Sequence, residues 1–553
     1  MNEKSSRFEN ENYIKTFILG KNIGNEYYNK MGIGHLFSIS GMHVMFFSFI
    51  LLSILKLFIK RSLYSYILVS IFLLLYSFLI MKVSVYRAAL LFILVFFKKT
   101  FKIELKNYYI LIFIFSIMLF YNPYYLLSPS FYYSFIVTFY ILVFSYNKKY
   151  ENYFLKLFNI SLVASLASFP ITIYYFFEYN ILSFIYNLIF IPIVTLVLFP
   201  VSVLSFVFSN EYILSYLIVL FENLVTYLNN DSFLIIFKRP NILLTIIYYF
   251  ILFLYVKSSN IKYFMITILI ILIIKNSNYF INYSRLYMID VGMGESILFV
   301  MPRANKVFLF DTGGHFYDNE YNLSNYVIIP FIKSLGINRI DYLVITHGHL
   351  DHAKEAPNII RNFDVNNVYL NSGGNNYLEN KIVNVATKKS VTVKNISKYK
   401  IKVNDYTFNF INDVYTDENE DSLVCFITFD NYSVLLTGDI YKKQEEKILK
   451  NYGLKDIDVL KISHHGSNTS SSKKFLKNLN PKVSLISASK NNLYNLPSKK
   501  VLNNLNKYYK TSRNGMILIK FKEKMEIFTF FWYKKRNFVF SIVYYTREWS
   551  IWA

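Results

Sequence analysis

Cysteine is almost missing from this 553-residue chain: Cys425 stands alone, inside the strand-like run Leu423-Val424-Cys425-Phe426-Ile427. A single thiol forms no intrachain disulfide, so a disulfide framework is excluded and the redox compartment is not readable. Tryptophan is nearly as scarce, and Trp532, Trp549 and Trp552 all fall within the last 22 positions. Acidic residues are outnumbered, 35 Asp and Glu against 59 Lys and Arg, for a formal net charge of +24. That balance permits a polyanionic partner, but positive cytoplasmic loops and a Lys-rich composition give the same number. The 50 Tyr and 54 Phe follow the same compositional bias and are no argument for base stacking. Residues 1–30 are polar and of mixed charge, so they are not a cleavable signal peptide. The first apolar segment must then serve as its own insertion signal.

What the chain does have is long apolar runs, confined to its first part. A bilayer-spanning helix needs about 20 mainly apolar residues. Candidate spans begin near His35, Tyr64, Val85, Tyr108, Phe131, Phe154, Ile181, Tyr212, Asn241 and Ile261. The expected organisation is a short polar N-terminus (1–34), a polytopic α-helical membrane domain of about ten spans (35–282), a soluble α/β domain (283–527) and an aromatic tail (528–553). The two parts carry equal net charge: 22 basic and 10 acidic residues before position 283, 37 and 25 from there on.

Loop charges set the orientation of such a domain. Lys56, Lys60 and Arg61, then Lys98, Lys99, Lys102 and Lys106, then Lys148, Lys149 and Lys156 follow the first, third and fifth spans. The loops between them hold only Lys82 and Arg87. The odd-numbered loops are therefore expected in the cytoplasm. With ten spans, the N-terminus and the soluble domain lie outside.

Polar groups within apolar spans are costly and mark candidate conduits. Here they are His35, Ser38, Ser40 and His43 in His35-Leu36-Phe37-Ser38-Ile39-Ser40-Gly41-Met42-His43-Val44, then Arg87, Glu178 and Asn187. Ordinary helix packing explains Ser and Gly as well. Pro170 and Pro192 interrupt apolar runs, as prolines do where broken helices line a cavity.

The soluble part alternates strand-like and helix-like runs from residue 285 onward, and its histidines and aspartates recur at strand ends. Val307–Phe310 runs into Asp311-Thr312-Gly313. Asp341–Ile345 runs into Thr346-His347-Gly348-His349-Leu350-Asp351-His352. Val434–Leu436 ends at Thr437-Gly438-Asp439, and Asp458–Ser463 ends at His464-His465-Gly466-Ser467. Few structural demands place His, His, Asp and His within six residues. A pair of divalent metals does, and imidazole with carboxylate suits Zn²⁺ or Mn²⁺. Two such ions about 3.5–4 Å apart can hold a hydroxide and clamp a phosphoryl group for in-line displacement.

These strand ends, in this order and spacing, resemble the metallo-β-lactamase fold, an αββα sandwich. The membrane part narrows the resemblance. His35–Val44 is similar to the "HLLAISGLHV" segment of the ComEC competence family. Val85-Tyr86-Arg87-Ala88-Ala89, the Pro170…Asn187…Pro192 array and Asp290-Val291-Gly292-Met293-Gly294-Glu295 look like further landmarks of it. The resemblance covers about residues 16–525. It implies a DNA-uptake channel of the bacterial cytoplasmic (inner) membrane that passes single-stranded DNA without sequence preference. The metal-dependent nuclease domain would hydrolyse the other strand. A competence DNA receptor and a cytoplasmic translocase are the implied partners, and the resemblance leaves room for a homodimer. A channel with an inactive hydrolase domain, or a membrane-tethered metallo-phosphodiesterase unrelated to DNA uptake, are the alternatives.

By the fold's pattern, His347 and His349 would hold one metal and Asp351 and His352 the second. Asp439 would bridge them, and His464 or His465 would complete the second site. Asp351 and Asp439 are thus the expected catalytic carboxylates, and Asp311 would orient ligands from behind. Lys461, Ser467 and Thr469 are candidates to touch a nucleic-acid backbone. His315 and Asp318 match nothing. Three departures stand out. Val368-Tyr369-Leu370 is followed by Asn371-Ser372, where many members of the fold have a histidine. Asn492-Leu493-Tyr494-Asn495-Leu496-Pro497 has Leu496 where the family's Asn-x-Tyr-x-His-Pro has histidine. The additional N-terminal helices and small β-rich domain of many members are not expected here. Phe528–Ala553 matches no element of the family, and reads as an extra hairpin, a membrane-surface anchor, a frameshifted end or an ordinary terminal strand plus tail.

Overall fold

The structure, a computed structural model, describes residues 11–20, 25–59, 61–147, 152–314, 322–373, 376–411, 417–490, 492–531, 533–535 and 538–540. Contacts divide the chain into two compact units, Met1–Lys275 and Asn276–Ala553. His315, Asp318 and the three tryptophans lie outside the described residues.

The first unit is helical. A helix stands at each of the ten expected positions, but among the described residues five are long and apolar enough to cross a membrane: Gly41–Phe58, Leu63–Ile80, Pro129–Asn147, Phe154–Tyr175 and Ser183–Phe208. The others fall short for local reasons. Asn107–Tyr121, Tyr212–Leu228 and Ile242–Ser258 stop after 15, 17 and 17 residues, at Asn122, Asn229 and Ser259. Val83–Thr100 carries Arg87, Lys98 and Lys99, and Ile261–Lys275 has 15 residues.

Broken helices in this unit have their freed backbone groups satisfied from neighbours, as an apolar surrounding requires. Pro170 lies inside Tyr153–Tyr175 and cannot donate to the carbonyl four residues earlier. That carbonyl, Leu166 O, accepts instead from Tyr248 Oη at 2.8 Å, and Ala167 O accepts from Tyr249 Oη at 3.1 Å. The π-helical turn Tyr133–Val137 loosens the ladder in the same way, and Ser134 O accepts from Arg87 Nη1 at 2.9 Å. Two short strands, Glu178–Asn180 and Leu234–Ile236, pair antiparallel.

The second unit is a sandwich of two sheets with helices outside. Its strands are β1 (Ser284–Met288), β2 (Ile297–Val300), β3 (Val307–Phe310), β4 (Arg339–Ile345), β5 (Asp364–Asn371), β6 (Thr392–Ile396), β7 (Tyr399–Val403), β8 (Tyr406–Ile411), β9 (Val424–Phe429), β10 (Tyr432–Leu436), β11 (Val459–Lys461), β12 (Val483–Ile486), β13 (Tyr508–Lys510), β14 (Met516–Phe521) and β15 (Met525–Phe530). One sheet has the order β15-β14-β1-β2-β3-β4-β5-β6 and the other β13-β12-β11-β10-β9-β8-β7. Each sheet joins an antiparallel half to a parallel half. The change comes at β3, which pairs parallel with β4, and at β10, which pairs parallel with β11.

The central strands are buried on both faces and so read as unbroken apolar runs. Between the sheets, Leu286, Phe299, Phe308 and Ile517 of one meet Phe408, Ile427, Val434 and Leu485 of the other. Phe308 and Phe408 stack with ring centroids 3.9 Å apart. Each such buried side chain contributes about 1.5–3 kcal/mol. Helices α1 (Ile329–Ser334), α2 (Leu350–Ala353), α3 (Ala356–Asn362) and α4 (Tyr377–Lys388) follow strands of the first sheet, and α5 (Lys442–Tyr452) and α6 (Lys473–Leu479) those of the second. Ile448, Phe475 and Leu476 cover the outer face of the second sheet at Leu435 and Leu460. In the tail, Tyr533–Lys535 and Phe538–Phe540 pair antiparallel.

Candidate metal centre

The parallel halves of both sheets deliver their strand ends to one place. β3 ends at Asp311, β4 at Thr346-His347, β10 just before Asp439 and β11 before His464-His465. Asp311, His464 and His465 all have a positive φ, of 54°, 49° and 51°. Such backbone costs about 1–3 kcal/mol per residue and persists where its surroundings demand it. Here it turns His465 inward. Gly294 has φ +126°, and a Cβ there would lie 2.5 Å from Asp351 O. The Gly292–Glu295 turn can therefore press against α2, where Glu295 N donates to that carbonyl at 3.0 Å.

Two ligand sets result. His347 Nε2 and His349 Nδ1 face each other at 3.1 Å, close to the roughly 3.3 Å expected of two imidazoles on one tetrahedral zinc. Beside them, Asp351, His352, Asp439 and His465 are buried and place one ligand atom each within 4.8 Å of one another. His352 Nε2 lies 3.3 Å from Asp439 Oδ2, and His465 Nε2 lies 3.3 Å from Asp351 Oδ2 and 3.5 Å from Asp439 Oδ2.

The opposite nitrogen of every one of these rings meets oxygen. His352 Nδ1 is 2.7 Å from Asp311 Oδ2, and Asp311 also accepts from Thr346 N and Thr346 Oγ1 at 2.8 Å. His465 Nδ1 is 3.0 Å from Ser487 O, and His347 Nδ1 is 3.0 Å from Thr346 Oγ1 and 3.2 Å from Ser422 Oγ. His349 Nε2 is 3.4 Å from Glu418 Oε2. This is how metal-ligating histidines have tautomer and orientation fixed. The inward atoms His352 Nε2 and His465 Nε2 are fully buried without a hydrogen-bond partner. Both face carboxylate oxygens at 3.3–3.5 Å without hydrogen-bond geometry, an arrangement that suits N and O ligands converging on one cation.

Charge makes the same case. Glu295 and Lys461 pair with each other in the interior, and Lys461 also donates to Gly438 O at 2.9 Å and Asp439 Oδ1 at 3.3 Å. Asp311, Asp351 and Asp439 are all buried, and the one lysine among them, Lys461, is shared with Glu295, so carboxylates outnumber fixed cations. Burial disfavours a charged His352, yet Asp439, Asp311 and Asp351 outweigh it and hold its pKa well above the imidazole range. His465 is raised against burial by Asp439 and Asp351. Burial pushes Asp439 up, but His352, His465 and Lys461 bring it well below the usual carboxylate range. For His347, burial and the neighbouring His352 lower the pKa, leaving a neutral donor. The centre is thus negative and furnished with N and O donors, the setting of a divalent cation.

Two sequence candidates are placed elsewhere. Half-buried His464 turns away, its Nδ1 3.2 Å from Thr469 Oγ1 and its ring 5.6 Å from Tyr441, so His465 alone of the pair joins the ligand group. The steric reason is the left-handed turn, which points consecutive side chains apart. Lys461 is fully buried on Asp439 and Glu295 and is not free to touch a nucleic-acid backbone. Thr469 does lie exposed on a turn, and Ser467 beside it is half-buried. At the two sequence departures, Asn371 Nδ2 donates to Asp421 Oδ2 at 2.9 Å. Leu496 is held by Asn492, which accepts from its N–H and donates to its carbonyl, both at 2.7 Å. The Pro497 side chain packs against Gly466, so Leu496 flanks the His465 turn.

Sequence reasoning missed Glu418, Asn376 and Ser422. Ser422 Oγ also accepts from Asp439 N at 3.1 Å, tying both ligand sets together. The acidic run Asp417-Glu418-Asn419-Glu420-Asp421 just before β9 was the available signal.

In the first unit, Ser40, His43 and Arg87 gather around Gly41. His43 Nδ1 lies 3.1 Å from Ser40 N and 3.0 Å from Ser40 Oγ, and a side chain at Gly41 would collide with the Arg87 guanidinium. Arg87 also bonds Thr138. His43 Nε2, Arg87 Nε and Asn187 Oδ1 are buried without a hydrogen-bond partner. His35 is exposed with Nδ1 3.1 Å from Gly32 O, Ser38 is half-buried, and Glu178 sits in the short strand opposite Ile236.

Known proteins match both units. The Competence protein family matches residues 24–260, and the Metallo-beta-lactamase superfamily residues 289–490. ComE operon protein 3 of Bacillus subtilis (strain 168) is 29% identical over 91% of this chain and 70% of its own length. Recombination protein 2 of Haemophilus influenzae is 28% identical over 43% of this chain and 29% of its own length. A solved diphosphatase from the PhnP family is 17% identical over 41% of this chain and 94% of its own, with a TM-score of 0.27. The superfamily of the second unit is one of metal-dependent hydrolases with divalent ions, and the buried His and Asp group fits that chemistry. The chain thus carries a Competence protein domain followed by a metallo-β-lactamase superfamily domain, and is similar to ComE operon protein 3 along most of its length.

Proposed function

We propose that this chain is a DNA-uptake protein of the bacterial cytoplasmic membrane. Its helical unit passes one DNA strand inward, and its sandwich unit hydrolyses phosphodiester bonds of the other. The observation that carries the hydrolytic half is the paired ligand set: His347 with His349, beside Asp351, His352, Asp439 and His465, each imidazole braced by oxygen on its far nitrogen. These residues would hold two divalent ions, Zn²⁺ or Mn²⁺. Such ions supply Lewis acidity and lower the pKa of water to near neutrality.

The chain's own residues do the rest. Lys461 holds Asp439 Oδ1 and leaves Oδ2 toward His352 and His465, where it would serve as a metal ligand. Asp311 and Glu418 keep His352 and His349 from rotating. Half-buried Ser467 and exposed Thr469 offer hydroxyl donors to a strand at the rim. In the helical unit, Arg87, His43 and Asn187, buried with unpartnered atoms, are the candidate conduit groups. The same reading puts the sandwich on the extracytoplasmic side, with a DNA receptor and a cytoplasmic translocase as partners.

The test is cleavage of labelled single- and double-stranded DNA by the purified full-length protein with Mn²⁺ or Zn²⁺, beside Asp351→Ala. Metal-dependent cleavage lost in the variant supports the nuclease. Metal binding without cleavage of DNA overturns it and favours a channel whose hydrolase unit is inactive.

A further inference from the structure

Helix α4 (Tyr377–Lys388) has one face in the protein, through Glu379, Ile382, Val385 and Ala386. On its outer face, Tyr377, Lys381, Asn384 and Lys388 follow at spacings of four, three and four residues, which form a single stripe along a helix. That stripe, with Lys389 and with Arg361 of α3, lines an open trough of about 540 Å³.

The trough has no carboxylate in its lining, and among the described residues none of its four cations has an ion-pair partner. Other lysines of this unit do: Lys306 pairs with Asp341, Lys482 with Asp458 and Lys522 with Glu526. Tyr377 is 78% exposed, and the Lys381 ammonium lies 5.9 Å from its ring centre. An exposed ring beside unpaired cations is the chemistry that holds single-stranded nucleic acid, by stacking on bases and by attraction to phosphates.

The position of α4 gives the trough a direction. Its N-cap, Asn376, receives Glu379 N at 2.9 Å, while its Nδ2 donates to Glu418 Oε2 at 3.1 Å. Glu418 in turn faces His349. Gly348, between the two histidines of the motif, lacks the side chain that would collide with the Asn376 amide. The helix therefore starts at the rim of the metal centre, and its 12 residues run about 18 Å away from it.

We propose that the α3–α4 trough, through Arg361, Lys381, Lys388, Lys389 and Tyr377, binds a single DNA strand and feeds it to the His347–Asp439 centre. This rests on the reading of that centre as a phosphodiesterase, and deepens it by naming the strand's path.

The test uses the full-length protein in detergent with chelator present, and a fluorescein-labelled single-stranded oligonucleotide read by anisotropy over a range of salt. The variant is Arg361→Gln/Lys381→Gln/Lys388→Gln/Lys389→Gln. A charge-matched control is Lys473→Gln/Lys474→Gln/Lys477→Gln/Lys500→Gln, all exposed and outside the trough. The trough variant is expected to weaken binding at least tenfold and to lower the slope of log K against log salt by up to about 3. Tyr377→Ala is expected to weaken binding about tenfold. The control set should change affinity less than about twofold, the size left to non-specific charge. Equal weakening by both sets, unchanged binding by the trough variant, or no binding by the native protein overturns the proposal. So does a trough variant that loses only anionic-lipid vesicles, which makes the trough a membrane surface. With metal restored, hydrolysis of bis(p-nitrophenyl) phosphate reads the centre separately. Native protein inactive on that diester sinks the phosphodiesterase reading, whereas a trough variant that still cleaves it while losing the oligonucleotide supports the trough.

Discussion

At the scale of single residues, the centre depends on groups that never touch a substrate. Asp311 fixes His352 from a fully buried position, whereas Glu418 fixes His349 from the exposed rim. Replacing the oxygen partner of a ligating histidine costs about 10–100-fold in metal affinity. Asp311→Asn is expected at the upper end of that range. Glu418→Gln is expected near tenfold, because water can take over part of its role. Competitive chelator titration of the full-length protein measures both, and native affinity in Asp311→Asn would refute the bracing role. Metal affinity is expected to fall as pH is lowered, since each imidazole must shed its proton to ligate. Lys461 is a different case. Removing one partner of a buried pair strands the other's charge, so Lys461→Met should destabilise the metal-free protein by about 3–5 kcal/mol in urea denaturation. A change below 1 kcal/mol would mean that Glu295 is neutral in the fold.

At the scale of elements, strand ends and helix starts are coupled through close approach. Gly348 brings the loop after β4 against the N-cap of α4, and the capping box between Asn376 and Glu379 holds that end of the helix. Gly348→Ala pushes Asn376 off Glu418 and so disturbs His349 and the helix start together. The expected result is a loss of cap energy of about 1 kcal/mol with a fall in metal affinity of tenfold or more. Thermal denaturation and metal titration read the two effects, and full metal affinity in this variant would separate α4 from the centre. In the helical unit, the counterpart is the break at Pro170, whose orphaned Leu166 carbonyl is taken by Tyr248. Such a repair is visible only when two helices distant in sequence are side by side.

At the scale of the whole molecule, the open matter is which side of the membrane carries the sandwich. Among the described residues five helices satisfy span length and composition together, whereas the loop charges place the sandwich outside when ten segments cross. Cys425 is buried in β9 and burial raises its thiol pKa well above the ordinary range, so it resists alkylation. One introduced thiol therefore reports alone. Glu523→Cys, on the exposed turn between β14 and β15, is expected to react with a membrane-impermeant maleimide in intact cells. Labelling only after permeabilisation would place the sandwich in the cytoplasm and require an odd number of crossings.

The sequence by itself determined the division into an apolar part and a strand-rich part, and the ligand types of the centre. It could do so because hydrophobic runs and the tight His347–His352 spacing are local properties of the chain. It left His464 and His465 undecided, because a left-handed turn at two consecutive non-glycine residues has no signature in composition. It offered Lys461 to a substrate, since only the packing of β11 beside β10 shows that this lysine is enclosed with Glu295 and Asp439. Glu418, Asn376 and the start of the stripe on α4 at Tyr377 lie 69, 27 and 28 residues from His349, the histidine they adjoin. Contacts of that range are set by the order of strands in the two sheets, and only the tertiary structure decides it.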